Sequence, residues 1–347
     1  MGEHGVNVTL LSVGADMPYF IGYEAMPTER LTVLVVRRDE TPVLLIPRLE
    51  VPRVAAGEFE ILTWDEIDDP IDLAASVAGK PESVAVGDHM WSSFLIGFRK
   101  RWPNASWLAA SQLTSDLRLR KDPAEVKALR QAAQGVDRAM ARIPSEVVFV
   151  GRSERQIAGQ LQEMTVEEGH DRAEFTIVGS GPNSASPHHE PGARIVTEGD
   201  MVVCDFGGRW DGYYSDSTRT FVVGEPTAEQ TEVHSVVLAA NEAGRQAIRP
   251  RVSCEEIDSA ARTVIADAGY ADYFIHRTGH GIGLEIHEHP YMVLGNDQAL
   301  EPGMAFSIEP GVYLPHNFGV RIEDIVVCEK EGVNSLNESS RTLNSVA

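Results

Sequence analysis

Residues 202–221, VVCDFGGRWDGYYSDSTRTF, carry two aspartates, Asp205 and Asp216, on strand-like segments either side of a turn signal. Asp-Gly between runs of β-branched and aromatic residues marks a tight hairpin. A loop centred on Trp210 and Asp211 would set the two carboxylates opposite one another, with Cβ atoms about 5 Å apart. Like charges so placed destabilise a sheet, and a divalent cation held by carboxylate oxygens offsets their repulsion. The plainer alternative is a pair of solvated aspartates on an exposed hairpin, so the choice falls to the other acids of the chain.

Glu309 lies in MAFSIEPGVY and Glu323 in GVRIEDIVV, with a turn expected over residues 315–319 between them. A second hairpin would therefore carry a second pair of acids. Phe306 and Ile308 flank one glutamate, Ile322 and Ile325 the other, and an apolar surrounding is costly for a carboxylate without compensation. Four carboxylates and an imidazole make the donor set of a dinuclear metal site. The imidazole is expected within residues 276–290, HRTGHGIGLEIHEHP, which hold His276, His280, His287 and His289. Gly279, Gly281 and Gly283 bracket His280 and permit close backbone approach. The glycine spacing is not that of a GxGxxG phosphate loop, and His287-Glu288-His289 is not HExxH. His188 and His189 follow a small-residue loop over residues 179–187 that has the character of an active-site rim. The chain has no GxSxG elbow, and Cys204 is expected to point away from Asp205 into the core, so nucleophilic catalysis is disfavoured.

These residues need a scaffold, and 347 residues are enough for two domains. The formal charge of −22, from 52 acidic and 30 basic residues, argues against nucleic acid or an anionic membrane as partner. Three widely spaced cysteines fit reduced thiols in a cytoplasmic protein better than a disulfide framework. Residues 6–21 read as a strand and turn rather than a targeting segment, and no apolar run reaches the length of a membrane span. Residues 7–107 alternate apolar runs with turn residues, an α/β pattern, and residues 37–42 look like the turn of a hairpin. At Asp122-Pro123-Ala124-Glu125 a helix-start signature opens a helix over residues 123–142, with Val126, Leu129, Ala133, Val136 and Met140 on one face. The boundary is placed just before it, giving domains 1–118 and 119–347. Further helices are expected over 153–168, 227–249 and 254–268, among strands that suggest α+β, with helices on one face of a curved antiparallel sheet.

Taken together, DFGGRWDGYYSDSTRTF, SASPHHEP, GHGIGLEIHEHP, SIEPGVY and VRIED resemble the creatinase, prolidase and aminopeptidase P branch of the pita-bread metallopeptidases. The resemblance covers residues 123–328, and the N-terminal half is consistent with the smaller creatinase-type α/β domain. It implies a metal set of Asp205, Asp216, His280, Glu309 and Glu323, with Asp216 and Glu323 bridging two ions. It also implies hydrolysis of the bond preceding proline in short peptides by a hydroxide held between the metals. Glu309 would be the proton acceptor, His188 and His287 would contact substrate and the developing oxyanion, and Arg321 would steer a substrate carboxylate. Mn2+ suits the oxygen-rich set, with Co2+, Zn2+ or Fe2+ able to bind. A homodimer is the family expectation. Dipeptide-specific prolidases often carry an arginine shortly after HExP, where this chain has Tyr291 after Pro290; its length instead favours a compact, prolidase-like member. Xaa-Pro dipeptidase and Xaa-Pro aminopeptidase both stand, with another exopeptidase preference or a catalytically silent binding protein as alternatives.

Overall fold

The computed structural model describes residues 1–2 and 4–347. It divides into two compact units, Met1–Arg118 and Leu119–Ala347. In the first, a six-stranded mixed sheet runs in the order Glu60–Trp64, Val43–Pro47, Val33–Arg37, Val8–Leu11, Ser83–Val86, Ser106–Ala109. The hairpin expected at residues 37–42 is present, with Val35 paired to Val43. The stretch 6–21 differs from its strand-and-turn reading: a four-residue strand gives way to a helix, Asp16–Ile21, closed by Gly22 in the left-handed region. That conformation lets the Gly22 N–H reach the Pro18 carbonyl.

The second unit opens with the helix Pro123–Glu146. Its first turn is held by a capping box, in which the Asp122 carboxylate accepts from the Glu125 N–H and the Glu125 carboxylate accepts from the Asp122 N–H. Leu129, Ala133, Val136 and Met140 are buried as their spacing requires. Helices Glu154–Glu167, Ala228–Ala247 and Cys254–Asp267 start from Ser153, Thr227 and Ser253 with capping boxes of the same kind.

Instead of one curved sheet, this unit holds three. The first runs Asn344–Val346, Ser217–Val223, Met201–Trp210, Arg172–Ser180, with Tyr213–Tyr214 also paired to Met201–Trp210. The second runs Glu288–Met292, Gly279–Gly281, Ala305–Ile308, Asp324–Glu329, Gly332–Ser335. Gly311–Leu314 and Phe318–Arg321 form the third. All pairings are antiparallel except that of Asn344–Val346, which runs parallel to Ser217–Val223.

The ladder breaks at the two glutamates. Ile308 pairs with Asp324 on one side and Gly311 with Arg321 on the other, so Glu309 and Glu323 fall opposite each other in the gap. Their N–H groups leave the hairpin: Glu309 donates to the Thr278 carbonyl at 2.8 Å and Glu323 to the Thr218 carbonyl at 3.1 Å. A buried amide needs a partner somewhere, and here one partner lies on the strand Ser217–Val223 and the other just before the strand Gly279–Gly281. Asn241, on the helix Ala228–Ala247, donates to the carbonyls of Ile308 and Ile322 and so closes the break from behind. Among the described residues, no helix is long and apolar enough to cross a membrane.

Candidate metal centre

The aspartate hairpin turns one residue later than expected, which shifts the pairing register by two. Asp211 and Gly212 take φ of 50° and 83°, and Trp210 pairs with Tyr213 across them. Left-handed conformations at both central residues make the primed turn whose twist matches the flanking strands. Asp205 is therefore paired with Thr218, and Asp216 lies two residues nearer the turn, diagonal to Asp205 rather than opposite it. Because strand side chains alternate with period two, this shift leaves both carboxylates on one face.

His280 is set by its neighbours' backbone. A Cβ on Gly279 would lie 1.9 Å from the Ser307 carbonyl oxygen, and one on Gly281 would lie 2.2 Å from that of His289. Glycine at these positions lets the adjoining strands close around the imidazole. The His280 Nδ1 donates to the Gly281 carbonyl at 3.1 Å, which leaves the Nε2 lone pair aimed at Glu309 Oε1, 3.2 Å away, and Asp216 Oδ2, 3.6 Å away. One potential ligand atom from each of Asp216, His280 and Glu323 falls within 4.8 Å of the others. Asp205 and Glu309 line the same cavity, of about 570 Å³.

Burial and mutual repulsion dominate the electrostatics of this cluster. Burial, reinforced by Glu323, Asp205 and Glu309, raises the Asp216 carboxyl well above its ordinary value. Burial and the neighbouring acids do the same to Glu323. Burial lifts Glu309 to about 7, although Arg321 pulls the other way. Burial drives His280 down to about 3, so its ring is neutral and able to ligate. Asp205 Oδ1 and Glu323 Oε1 are buried with no hydrogen-bond partner among the described residues. Orphaned carboxylate oxygens of this kind fit a divalent cation, as does the set of four carboxylates and one neutral imidazole.

The expected substrate-contacting residues divide. His188 and His287 line the cavity, and His287 meets the His280 ring edge-on at 4.2 Å. Arg321 lines it too, but its guanidinium makes four hydrogen bonds within the protein. Nη2 donates to Asp205 Oδ2 at 2.6 Å, Nε to Thr218 Oγ1 at 3.1 Å, and Nη1 to the Tyr313 hydroxyl and the Pro187 carbonyl. It holds one oxygen of Asp205 and leaves the other facing the cavity. His189 turns away to Glu154 Oε2 at 2.7 Å, and Cys204 is buried in the core beside Val202 and Phe206.

Tyr313, His276, Arg277 and Ser307 were not singled out for roles by the sequence. The Tyr313 hydroxyl joins Arg321 to His276 Nε2, each at 2.8 Å, and Ser307 Oγ donates to Glu309 Oε1 at 3.0 Å. The Tyr within SIEPGVY was the available signal, since a buried phenol needs a partner.

With this geometry in hand, comparison with known proteins places the chain among relatives. Residues 127–330 match Metallopeptidase family M24, and residues 1–120 match the Creatinase/Prolidase N-terminal domain. The "Probable dipeptidase PepE" of Mycobacterium tuberculosis is 44% identical over 348 residues, covering 98% of this chain and 92% of that protein. The "Xaa-Pro dipeptidase" of Lactobacillus helveticus is 37% identical, covering 97% and 94%. The crystal structure of a prolidase from Thermococcus sibiricus superposes with a TM-score of 0.96 at 36% identity, over 99% of this chain and 96% of that one.

Proposed function

Because the chain belongs to metallopeptidase family M24, with a creatinase-type N-terminal domain before a pita-bread domain, and is a metallo-exopeptidase, we propose that it cleaves the peptide bond preceding proline in short peptides. The proposed centre is dinuclear, held by Asp205, Asp216, His280, Glu309 and Glu323. The observation that carries this reading is the convergence of those five donors with Asp205 Oδ1 and Glu323 Oε1 left buried and unpartnered.

Bound there, two divalent ions would supply Lewis-acid polarisation of the scissile carbonyl and of the attacking water. Glu309 accepts the water proton and returns it to the leaving nitrogen, and the Ser307 hydrogen bond holds its carboxyl in one orientation for that exchange. Burial holds His287 below its ordinary value, so it is a neutral donor for the carbonyl oxygen as charge develops there. His188 borders the same space and orients the substrate. Arg321 acts through Asp205 as a positioning residue. Phe175, Ile177, Pro187 and Ile286 give the cavity an apolar wall suited to a pyrrolidine ring. A tertiary amide has no N–H to offer, and a site that grips the carbonyl does not need one.

Mn2+ is the proposed metal, on the oxygen-rich donor set. Cytoplasmic residence is proposed on three buried, unpaired thiols, and a homodimer on the resemblance to the family. Light scattering on the eluted protein tests the dimer.

Free proline and free N-terminal residue released from Ala-Pro and Ala-Pro-Ala, by metal-stripped enzyme with and without Mn2+, test the activity. Release only with metal supports the reading. No release from either peptide with both ions bound would overturn it.

Metal binding is expected to strengthen as pH rises. Glu309, lifted to about 7, holds its proton near pH 6, and Asp216 and Glu323 are shifted in the same direction, so an entering ion must displace protons from the cluster. Calorimetry in two buffers of different ionisation enthalpy should show proton release at pH 6 that declines by pH 8. Equal affinity and no release at both values would contradict the assignment of these carboxylates as ligands.

A further inference from the structure

Arg277 stands apart from the other cations of the cavity. Arg321 is buried and bonded four ways, whereas the Arg277 guanidinium has no hydrogen bond or ion pair among the described residues. In a chain with 52 acidic and only 30 basic residues, a half-buried arginine without a carboxylate is unexpected by chance alone. Its guanidinium carbon sits over the Tyr291 ring, 4.3 Å from the centroid. A guanidinium held over a ring face spends none of its N–H groups on a hydrogen bond there, and those groups can fork a carboxylate. Tyr291 is fixed in turn, since it pairs across the sheet with His280, and Asn296 donates to its carbonyl.

We infer that Arg277, stacked on Tyr291, binds the C-terminal carboxylate of a dipeptide substrate and thereby selects dipeptides over longer peptides. This rests on the proposed peptidase function and assigns the end of the substrate beyond the scissile bond. A dipeptide carries its free carboxylate on the residue after the scissile bond, where a longer peptide has a neutral amide. The amide would leave the guanidinium partly desolvated and unpaired, which disfavours it. Tyr291 occupies the position after Pro290, and the positive charge comes instead from Arg277, just before the adjoining strand Gly279–Gly281.

Metal-loaded wild type, Arg277→Met and Arg277→Lys are compared on Ala-Pro, Ala-prolinamide and Ala-Pro-Ala, together with calorimetric binding of L-proline and L-prolinamide. Wild type should prefer Ala-Pro. Arg277→Met should lose roughly 10- to 100-fold in kcat/KM on Ala-Pro, mostly through KM, and change on Ala-prolinamide by no more than about twofold. L-Proline binding should weaken in parallel, and Arg277→Lys should fall between, keeping the charge but not the fork. Equal losses on acid and amide, or an unchanged preference in Arg277→Met, would overturn the inference and leave the peptidase reading standing. So would a wild type that favours Ala-Pro-Ala. A wild type that cleaves none of the three and binds no L-proline would remove both.

Discussion

Replacing Asp216 with asparagine is expected to reduce kcat/KM roughly a thousand-fold or more, since metal polarisation is worth several kcal/mol and each ~1.4 kcal/mol is a factor of ten. The same variant should be more stable than wild type when both are metal-free. Burial and three neighbouring acids raise the Asp216 carboxyl well above its ordinary value. A group whose pKa is raised on folding favours the folded state at pH values below its unfolded pKa, near 4. That contribution disappears as pH climbs through the folded value. Metal-free wild type is therefore penalised at pH 8 by an acid that Asp216→Asn lacks. Thermal unfolding of stripped proteins at pH 5 and pH 8 should show the variant ahead at pH 8, with the gap narrowing at pH 5. Added Mn2+ should raise the melting temperature of wild type much more than that of the variant. Full activity in Asp216→Asn would refute the metal assignment, and a lower metal-free stability at pH 8 would refute the electrostatic account.

Asp324→Ala is expected to destabilise the protein by about 3–5 kcal/mol, the loss typical when one member of a buried ion network is removed. Asp324 Oδ1 accepts from Arg219 Nη2 at 2.7 Å and Oδ2 from Arg341 Nε at 2.5 Å, with Asp324 and Arg219 both buried. Burial alone would raise the Asp324 carboxyl, but Arg219 and Arg341 outweigh it and hold it below its ordinary value. Its contribution is therefore present above the unfolded pKa of about 4 and lost as pH falls through the folded one. Arg219 also donates from Nη1 to the Glu323 carbonyl at 2.6 Å and from Nε to the Ser340 carbonyl, so the network braces a proposed metal ligand from behind. Urea unfolding of the metal-free protein at pH 7 measures the loss. A companion variant, Arg219→Met with Asp324→Leu, should recover part of it, because replacing a pair costs less than orphaning one partner. If Asp324→Ala unfolds at the same urea midpoint and with the same slope as wild type, the network adds nothing to stability.

The sequence alone was sufficient for the inventory and for much of the local structure. Acids set among β-branched and apolar residues are legible because an uncompensated buried carboxylate is improbable. Capped helices are legible because Asp122 with Glu125, and Ser153 with Gln156, satisfy their own first-turn amides within four residues. Motifs shared with the family added the five-residue set and the chemistry expected of it. Everything that depended on long-range pairing had to come from the tertiary structure. The hairpin register turned on which two residues could adopt positive φ, and it moved Asp216 from opposite Asp205 to diagonal. The break between the second and third sheets turned on where the Glu309 and Glu323 amides found partners, 31 and 105 residues away in the chain. Arg321 looks like a free cation in VRIED and becomes a brace for Asp205 only when residues 116 positions apart are brought together. Arg277 gains its place only through Tyr291 on the adjoining strand. Local composition records which groups must be buried or charged, whereas the partner each group meets is set by strand pairing across the whole domain.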